Sequence, residues 1–325
     1  MASGTLADFV LTSSFSDYAD LATKQSSKLI TSGAMVIDQD LQDEAAGSSN
    51  SITMRFMLDI TGSSNVSDDS DTDGPVDALK GPGLVVPRLM RNKSVGYKSV
   101  VVSKSNPDPA AGLAEKFGSY WGRQLDTMGL LSVTGAFADN AAAPSGSDTH
   151  TQNDLTYDIK GASYSAGVTD FSIAALEATR AKMGDALSDL RLMLVHPAVS
   201  AKLTDAMIAS LRERGITLVV YDQLPASSGI YETWLFGAGA IKAAIVDNKE
   251  GGYEPFRQPR KGNGGGETII TTRRDMFVSP PGVSFIGATT TGLPSDATLA
   301  AAASWSRLYP ERKQVAMGRL ITREA

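Results

Sequence analysis

The densest group of potential metal ligands in the chain is the run Asp69-Ser70-Asp71-Thr72-Asp73-Gly74. Carboxylates at alternate positions followed by a glycine match the opening of a calcium loop, because a hard cation prefers oxygen ligands and the glycine permits the turn. The twelfth position, where such a loop needs a bidentate glutamate, is Lys80, and neither flank has a helical pattern. The run is therefore interpreted as a solvated acidic loop tip, with calcium binding as the alternative.

Two glycine-rich segments have spacings that could bring the backbone close to a phosphate. The first is G-A-G-A-I-K over 237–242, where Lys242 replaces the third glycine of a dinucleotide fingerprint and the chain continues as a strand. The second, Gly262–Gly266, lacks the Lys-Ser/Thr pair of a phosphate-binding loop. We interpret the first as a turn with close backbone packing and the second as a flexible turn.

The chain has two histidines and no cysteine, so few residues remain for acid–base or nucleophilic chemistry. His150 lies in a stretch of small and polar residues that we interpret as a linker. His196 precedes Pro197, where a side chain that caps the following helix is the simpler interpretation. Neither a G-x-S-x-G elbow nor an H-E-x-x-H motif is present. The sequence therefore predicts no catalytic, cofactor-binding or metal-binding residue and a protein that is not an enzyme.

Composition argues against several other classes of protein. The 325 residues carry a formal net charge of −6, which disfavours a protein that grips the phosphate backbone of nucleic acid but allows a container that only encloses DNA. Apolar residues make up 42% of the chain, enough for a full core. The first residues lack the basic and apolar regions of a signal peptide, and no apolar run approaches the roughly 18 residues of a membrane span. We expect a soluble protein made in a cytosol.

The element that must position the rest is a predicted helix over 105–139, called the spine helix below. Asn106 or Asp108 can cap its start, and Pro107 or Pro109 fits its first turn. Large apolar residues recur every three or four positions and therefore share one face. They are Leu113, Phe117, Tyr120, Trp121, Leu125, Met128 and Leu131. Several glycines weaken this helix in isolation, so packing has to hold it together.

Before the spine helix, the pattern changes to that of a long hairpin. Apolar and polar residues alternate over Ser51–Ile60, and a return strand lies within Leu84–Ser103. The return strand contains the basic residues Arg88, Arg91, Lys93 and Lys98. The connecting residues have almost nothing to bury, and a two-stranded hairpin alone is marginal in water. Residues 1–50, with one short amphipathic patch, are interpreted as an arm that needs a partner surface, with a disordered leader as the alternative.

An α/β alternation follows the spine helix. After a polar linker over 140–158, strands and helices alternate within 168–263. Beyond it, Glu267–Ser279 is predicted as a long strand and Ala297–Leu308 as a small helix, and a last strand, V-A-M-G-R-L-I, lies near the end of the chain.

The order of these parts is more specific than any single motif, and it resembles the major capsid proteins of tailed bacteriophages, whose shell fold is shared with encapsulins. Three segments carry the resemblance. They are S-I-T-M-R-F-M-L-D-I with its loop and basic return strand, Y-E-T-W-L-F-G-A-G-A-I after I-T-L-V-V-Y-D-Q-L-P, and T-I-I-T-T-R-R-D-M-F-V-S-P-P-G-V-S-F. Together with the spine helix they cover most of residues 51–287.

The resemblance implies an α+β capsid fold in five parts. These are an N-terminal arm at 1–50, an extended β-hairpin loop at 51–104, a peripheral domain with the spine helix at 105–167, an α/β axial domain at 168–263, and the return strand with the rest of the peripheral domain at 264–325.

The resemblance also implies a structural subunit that self-assembles into pentamers and hexamers of an icosahedral phage head. Such a subunit would be made in the cytoplasm of a host bacterium, reside in the virion, enclose double-stranded DNA without sequence-specific binding and need no cofactor. Portal, scaffold and decoration proteins are the further partners that it implies. Two alternatives are an encapsulin-type compartment with a protein cargo and a nucleotide-binding enzyme that uses the turn after Phe236.

Charge suggests which residues would join one subunit to the next. The basic residues Arg88, Arg91, Lys93 and Lys98 are predicted to contact a neighbouring subunit. The acidic residues they would meet include Asp69, Asp71 and Asp73 of the loop tip.

Overall fold

One long helix packs against two β-sheets and joins them. The computed structural model describes residues 27–47, 50–55, 57, 60, 63–67, 73–74, 76, 81–99, 109–144, 148, 150–247, 252–288, 293–309 and 311–325. The helices are α1 (Lys28–Thr31), α2 (Gln39–Gly47), α3 (Pro109–Ala141), α4 (Ile173–Ala181), α5 (Pro197–Ser200), α6 (Asp205–Glu213) and α7 (Asp296–Ala300). Short 3-10 turns cover Gly184–Asp189, Ala302–Ser304 and Arg312–Gln314.

The strands of the described residues form two six-stranded sheets and one two-stranded sheet. They are β1 (Met35–Ile37), β2 (Ser51–Arg55), β3 (Gly83–Lys98), β4 (Thr156–Asp158), β5 (Leu192–Val195), β6 (Thr217–Val220), β7 (Ala226–Ser227), β8 (Ile230–Phe236), β9 (Ile241–Asp247), β10 (Tyr253–Gln258), β11 (Glu267–Ser279), β12 (Val283–Phe285), β13 (Trp305–Arg307) and β14 (Met317–Arg323). The first sheet has the order β1-β9-β11-β3-β2, with β10 also on β11, and the second has the order β4-β14-β8-β5-β6, with β7 also on β8. Strands β12 and β13 pair with each other. The predicted α+β class is confirmed.

The spine helix is α3, and its 33 residues span roughly 50 Å at about 1.5 Å per residue. Its predicted apolar face lies in the core. Toward the first sheet, the Trp121 indole N–H donates a hydrogen bond of 3.1 Å to Thr272 Oγ1 on β11. Toward the second sheet, the ring of Phe137 lies 5.6 Å from that of Trp234 on β8. One continuous apolar core therefore includes residues of both sheets.

The predicted hairpin is present, but only one end of its return strand belongs to it. Strand β2 pairs antiparallel with the start of β3, from Ser51 opposite Pro87 to Arg55 opposite Gly83. The remainder of β3 pairs antiparallel with β11 up to Lys98. The return strand is therefore anchored in the first sheet over most of its length.

The long strand predicted at Glu267–Ser279 is confirmed as β11, the centre of the first sheet. Its burial alternates up to Arg273, because one face is covered by the core while the other is more open. Beyond that residue every position is buried, since α2 covers the second face through Leu41 and Ala45, which cluster with Phe277.

Two local predictions were wrong, and tertiary contacts explain both. The stretch 140–158, predicted as a linker, contains β4, and Leu155 beside it is buried in the core. The stretch 297–308, predicted as one helix, ends as a helix at Ala300 and turns into β13. There the buried Trp305 indole N–H donates to the Leu299 carbonyl at 2.7 Å, which folds the chain back on itself.

The last strand, β14, pairs with β8 and β4 in the second sheet. The sequence grouped it with β11 in the part at 264–325. The structure shows how β14 pairs, but the division of the chain into five parts stays a prediction.

The segment that precedes α2 is fastened to the spine helix by a buried carboxylate. Asp126 of α3 is 3% exposed and accepts hydrogen bonds from the Ser27 hydroxyl at 2.5 Å and from the amides of Lys28 at 2.9 Å and Leu29 at 3.3 Å. Burial raises the pKa of Asp126, and these hydrogen bonds oppose the rise. The carboxylate of one helix thus satisfies donors at the first turn of another.

Gly135 allows α7 and Trp305 to approach the spine helix, because a β-carbon there would overlap the Leu299 carbonyl oxygen and the Trp305 ring nitrogen. We expect Gly135→Ala to lower the free energy of unfolding by about 1–3 kcal/mol, since overpacking outweighs the better helix propensity of alanine. Urea denaturation of unassembled subunits measures the change. Gly129→Ala is the matched control, because its β-carbon would meet only the flexible ends of Met35 and Leu29. Equal losses in both variants would contradict the role assigned to Gly135.

Asp126→Ala removes the acceptor of three hydrogen bonds at a buried position. We expect the free energy of unfolding to fall by about 2–4 kcal/mol, because the Ser27 hydroxyl and two amides are left unpaired. Tryptic cleavage after Lys28 should become faster, since α1 loses its attachment. Glu115→Ala, at an exposed position of the same helix, should change stability by less than about 0.5 kcal/mol. Unchanged cleavage at Lys28 in Asp126→Ala would show that this contact does not hold the segment.

Candidate functional site

The predicted contact residues Arg88, Arg91, Lys93 and Lys98, called the basic stem residues below, all lie on β3. The guanidinium of Arg88 forms an ion pair with Asp275 on β11, whose side chain is 1% exposed, and its Nε–H lies 3.1 Å from Asp275 Oδ2. The guanidinium of Arg91 donates to Asp296 Oδ1 at 2.8 Å. Both arginines are therefore held by carboxylates of their own chain.

The two lysines of the set face outward. Lys93 is exposed, with Nζ 5.6 Å from the centre of the Tyr120 ring, and Lys98 is exposed opposite Glu267 of β11. The basic stem residues thus divide into two arginines engaged in the fold and two lysines whose charge reaches the surface. Their contact with a neighbouring subunit stays a prediction.

The acidic partners predicted for the basic stem residues are described only in part. Asp73 is exposed, whereas Asp69 and Asp71 lie outside the described residues. The calcium alternative for this run therefore stays untested.

The loop between β2 and β3 exposes large apolar side chains. Met57, Ile60, Val66 and Val76, called the apolar loop residues below, are between 73% and 93% exposed. Single exposed apolar residues are ordinary, whereas contiguous exposed apolar patches mark interaction sites. Sequence reasoning identified the loop as poor in burial and did not single out these residues.

An open cleft of about 880 Å³ lies between α2 and the start of β2. Its charged lining residues within the described part of the chain are Asp40, Asp43 and Glu44, all on α2. The cleft is therefore an acidic surface next to the base of the hairpin. Sequence reasoning placed Asp43 and Glu44 in a polar loop of the arm and interpreted them as solvated, whereas the structure places them on a helix.

A buried polar network lies at the C-terminal end of the spine helix. His150 Nδ1 lies 2.7 Å from Asp148 Oδ1, and the Arg307 amide donates to Asp148 Oδ2 at 3.2 Å. The Arg307 guanidinium contacts both oxygens of Asp154 at 2.8 Å. Burial and the charge of Asp148 raise the pKa of Asp139 in this network to about 7, while His150 and Arg307 oppose that rise.

Sequence reasoning missed this network because three of its members, Asp148, His150 and Asp154, fall in the stretch interpreted as a linker. The sequence did contain a signal, because an aspartate two residues before a histidine can orient the imidazole ring. Asp154 and Arg307 are far apart in sequence, and only folding brings them together.

The remaining motifs have structural roles. A β-carbon at Gly237 would lie 2.9 Å from the Ala316 β-carbon, and β9 follows the turn directly, which confirms a closely packed turn. His196 Nδ1 accepts a hydrogen bond from the Ala198 amide at 3.2 Å, which confirms its interpretation as a helix cap. Within the described residues, no helix combines the length and apolar character required to cross a bilayer.

Comparison with known proteins identifies the architecture. No protein-family profile matches the chain. The chain is 24% identical over 324 residues to a major capsid protein of Bacillus phage SPP1, and the alignment covers 96% of both proteins. Among solved structures, the capsid asymmetric unit of cyanophage Pam1 matches with a TM-score of 0.55 at 12% identity, over 90% of this chain and 88% of that chain. The capsid of Ralstonia phage GP4 matches with a TM-score of 0.54 at 12% identity, over 86% of this chain and 84% of that chain.

The structural matches confirm the capsid fold that the sequence predicted. The sequence match extends over almost the whole of both proteins and includes the spine helix, the hairpin and the long strand β11. The fold is therefore that of phage capsid proteins, and the sequence is similar to that of a phage major capsid protein over almost the whole length of both chains.

Proposed function

We propose that this chain is the major structural subunit of an icosahedral phage head, in which its copies form pentamers and hexamers around double-stranded DNA. The observation that carries the proposal is the exposure of the apolar loop residues. They lie on a hairpin whose second strand, β3, is anchored in the first sheet. A rigid stem that holds an apolar loop in water is suited to a contact with another subunit.

The free energy available from that contact is substantial. Burial of one Val, Ile or Met side chain contributes about 1.5–3 kcal/mol, so partial burial of four gives several kcal/mol per contact. Head-to-tail contacts between identical subunits close into rings when the rotation permits it. A shell repeats the contact around every ring, so contacts of modest strength hold a durable container together.

Charge supports a second contact between copies. Lys93 and Lys98 present positive charge on the stem, and the cleft lined by Asp40, Asp43 and Glu44 presents negative charge. These surfaces are complementary, and complementary charge fixes the register of an interface and speeds encounter. We assign the cleft of one subunit as the surface that the stem of a neighbour meets.

The role is structural and involves no turnover of a substrate. A formal net charge of −6 suits a container that encloses DNA without gripping it. Portal, scaffold and decoration proteins are further proposed partners, which the resemblance to phage major capsid proteins implies. Purified particles should contain DNA, whereas particles that contain a protein cargo and no DNA would support the compartment alternative.

Replacement of the four apolar loop residues by serine tests the loop contact. We expect subunits of unchanged thermal stability, because these side chains are already exposed, and a shell yield at least about tenfold lower, since a loss of about 1.4 kcal/mol per contact has that effect on association. Electron microscopy and sedimentation measure the yield. In the matched control, Met57→Leu, Ile60→Val, Val66→Ile and Val76→Ile keep the surface apolar, and shells should form normally. Normal shells from the serine variant would refute the loop contact.

The division of the basic stem residues predicts two different phenotypes. Arg88→Ala should lower the free energy of unfolding by about 3–5 kcal/mol, because it leaves the buried Asp275 carboxylate unpaired. Lys93→Glu with Lys98→Glu should change subunit stability by less than about 1 kcal/mol, because both side chains are exposed, but should lower shell yield several-fold.

Urea denaturation and sedimentation separate the two effects. Addition of Asp40→Lys with Asp43→Lys to the lysine variant should restore part of the shell yield if the stem meets the acidic cleft. If the double-glutamate variant assembles as well as the unaltered chain, the charge contact is wrong while the loop contact stands.

A further inference from the structure

Two carboxyl groups lie next to each other where the spine helix ends. Asp139 is in the last turn of α3, and Asp148 is in the segment that follows it. One oxygen of each carboxyl group and one ring nitrogen of His150 lie within 4.8 Å of one another. Asp148 is buried and Asp139 is half-buried, so little water screens the repulsion between two carboxylates at this distance. A proton on one of them would remove that repulsion.

The oxygens of Asp148 are already engaged by N–H groups of the chain. Oδ1 accepts a hydrogen bond from the His150 amide at 3.1 Å and lies 2.7 Å from His150 Nδ1, and Oδ2 accepts one from the Arg307 amide at 3.2 Å. Hydrogen bonds donated to a carboxylate favour its charged form. The arrangement therefore suits a charged Asp148 and leaves Asp139 as the group that takes up a proton.

The other charges around the pair are directed mainly at a third carboxylate. The charged and titratable groups near the pair are His150, Asp154 before β4, Lys182 after α4, Arg307 on β13 and Arg312 beyond it. The Arg307 guanidinium contacts both oxygens of Asp154 at 2.8 Å, and Lys182 also acts on Asp154. When the imidazole is neutral, the pair of Asp139 and Asp148 therefore keeps an excess of negative charge, which is costly in a site with little water.

We propose that Asp139 and Asp148 hold a single proton between them at neutral pH, and that loss of this proton loosens the junction of the spine helix with β13 and with the segment that leads into β4. The two carboxyl groups titrate as a pair because each responds to the charge of the other. The junction is then a pH-sensitive element of the subunit itself. It does not depend on the proposed shell.

The direction of the pH dependence follows from where the proton is held. Burial, followed by the charge of Asp148, raises the pKa of Asp139 to about 7, whereas an aspartate in the unfolded chain has a pKa of about 3.9. Between these two values the folded subunit binds a proton that the unfolded chain has released. The contribution of this group to stability is therefore full in acid, falls as the pH rises through about 7, and is constant in more alkaline solution.

Thermal melting of unassembled subunits tests the proposal, with Asp139→Asn as a neutral mimic of the protonated carboxyl group. We expect the variant to melt several degrees above the unaltered chain at about pH 8.5 and at the same temperature as that chain at about pH 5.5. Glu115→Gln is the matched control, because it removes an exposed carboxylate from the same helix, and it should have little effect at either pH. A melting temperature of Asp139→Asn that is not raised at about pH 8.5, or that is raised equally at both pH values, would overturn the proposal.

The infrared band of a protonated carboxyl group locates the proton. The unaltered chain should show this band at about pH 6.5, where solvated carboxyl groups are already ionised, and should lose it at about pH 8.5. Asp139→Asn should lack the band. Asp126→Asn, which removes another carboxyl group whose pKa is raised by burial, and His150→Gln should both keep it.

Absence of the band from the unaltered chain, together with a pH dependence of melting that disappears in His150→Gln, would place the proton on the imidazole and refute the carboxyl pair. Loss of the band in Asp126→Asn would place the proton at the other buried carboxyl group and refute it as well. If Asp139→Asn does not fold, persistence of the band in Asp126→Asn decides the question.

Discussion

Close contact between the spine helix and its neighbours on two sides is the constraint on which the rest of the structure depends. Trp121 joins the helix to β11 through Thr272, and Gly135 lets Trp305 reach the helix backbone on another side. Because a packed interior has few voids, these contacts fix the helix and both sheets as one body. A helix with several glycines would not persist in water without such packing.

That rigid body explains how the chain can hold an apolar loop in solvent. The return strand β3 is paired along most of its length with β11, so the strand into which the loop leads is fixed, and the described apolar residues of the loop are exposed. The acidic cleft beside α2 is positioned by the same sheet, since α2 packs on β9 and β11 through the cluster around Phe277.

Buried carboxylates connect distant parts of the chain in this fold. Asp126 satisfies the amides at the start of α1, Asp275 holds Arg88 across two strands, and Asp154 holds Arg307. Removal of either partner of the two ion pairs leaves a buried charge, and removal of Asp126 leaves buried donors unpaired, which is why these contacts are sensitive to substitution. None of them could be assigned from sequence, because an aspartate in an apolar stretch does not reveal which donor it will meet.

The sequence by itself determined the elements whose periodicity is local. These were the apolar face of the spine helix, the alternation in β2, the long strand β11, and the order of parts that indicated a capsid fold. Only the tertiary structure decided where β14 pairs, that Leu155 is core and not linker, and that Asp139, Asp148 and His150 meet. The physical reason is that the periodicity of a helix or strand is set by residues close together in the chain. Strand pairing and burial depend instead on contacts between residues that can be more than a hundred positions apart.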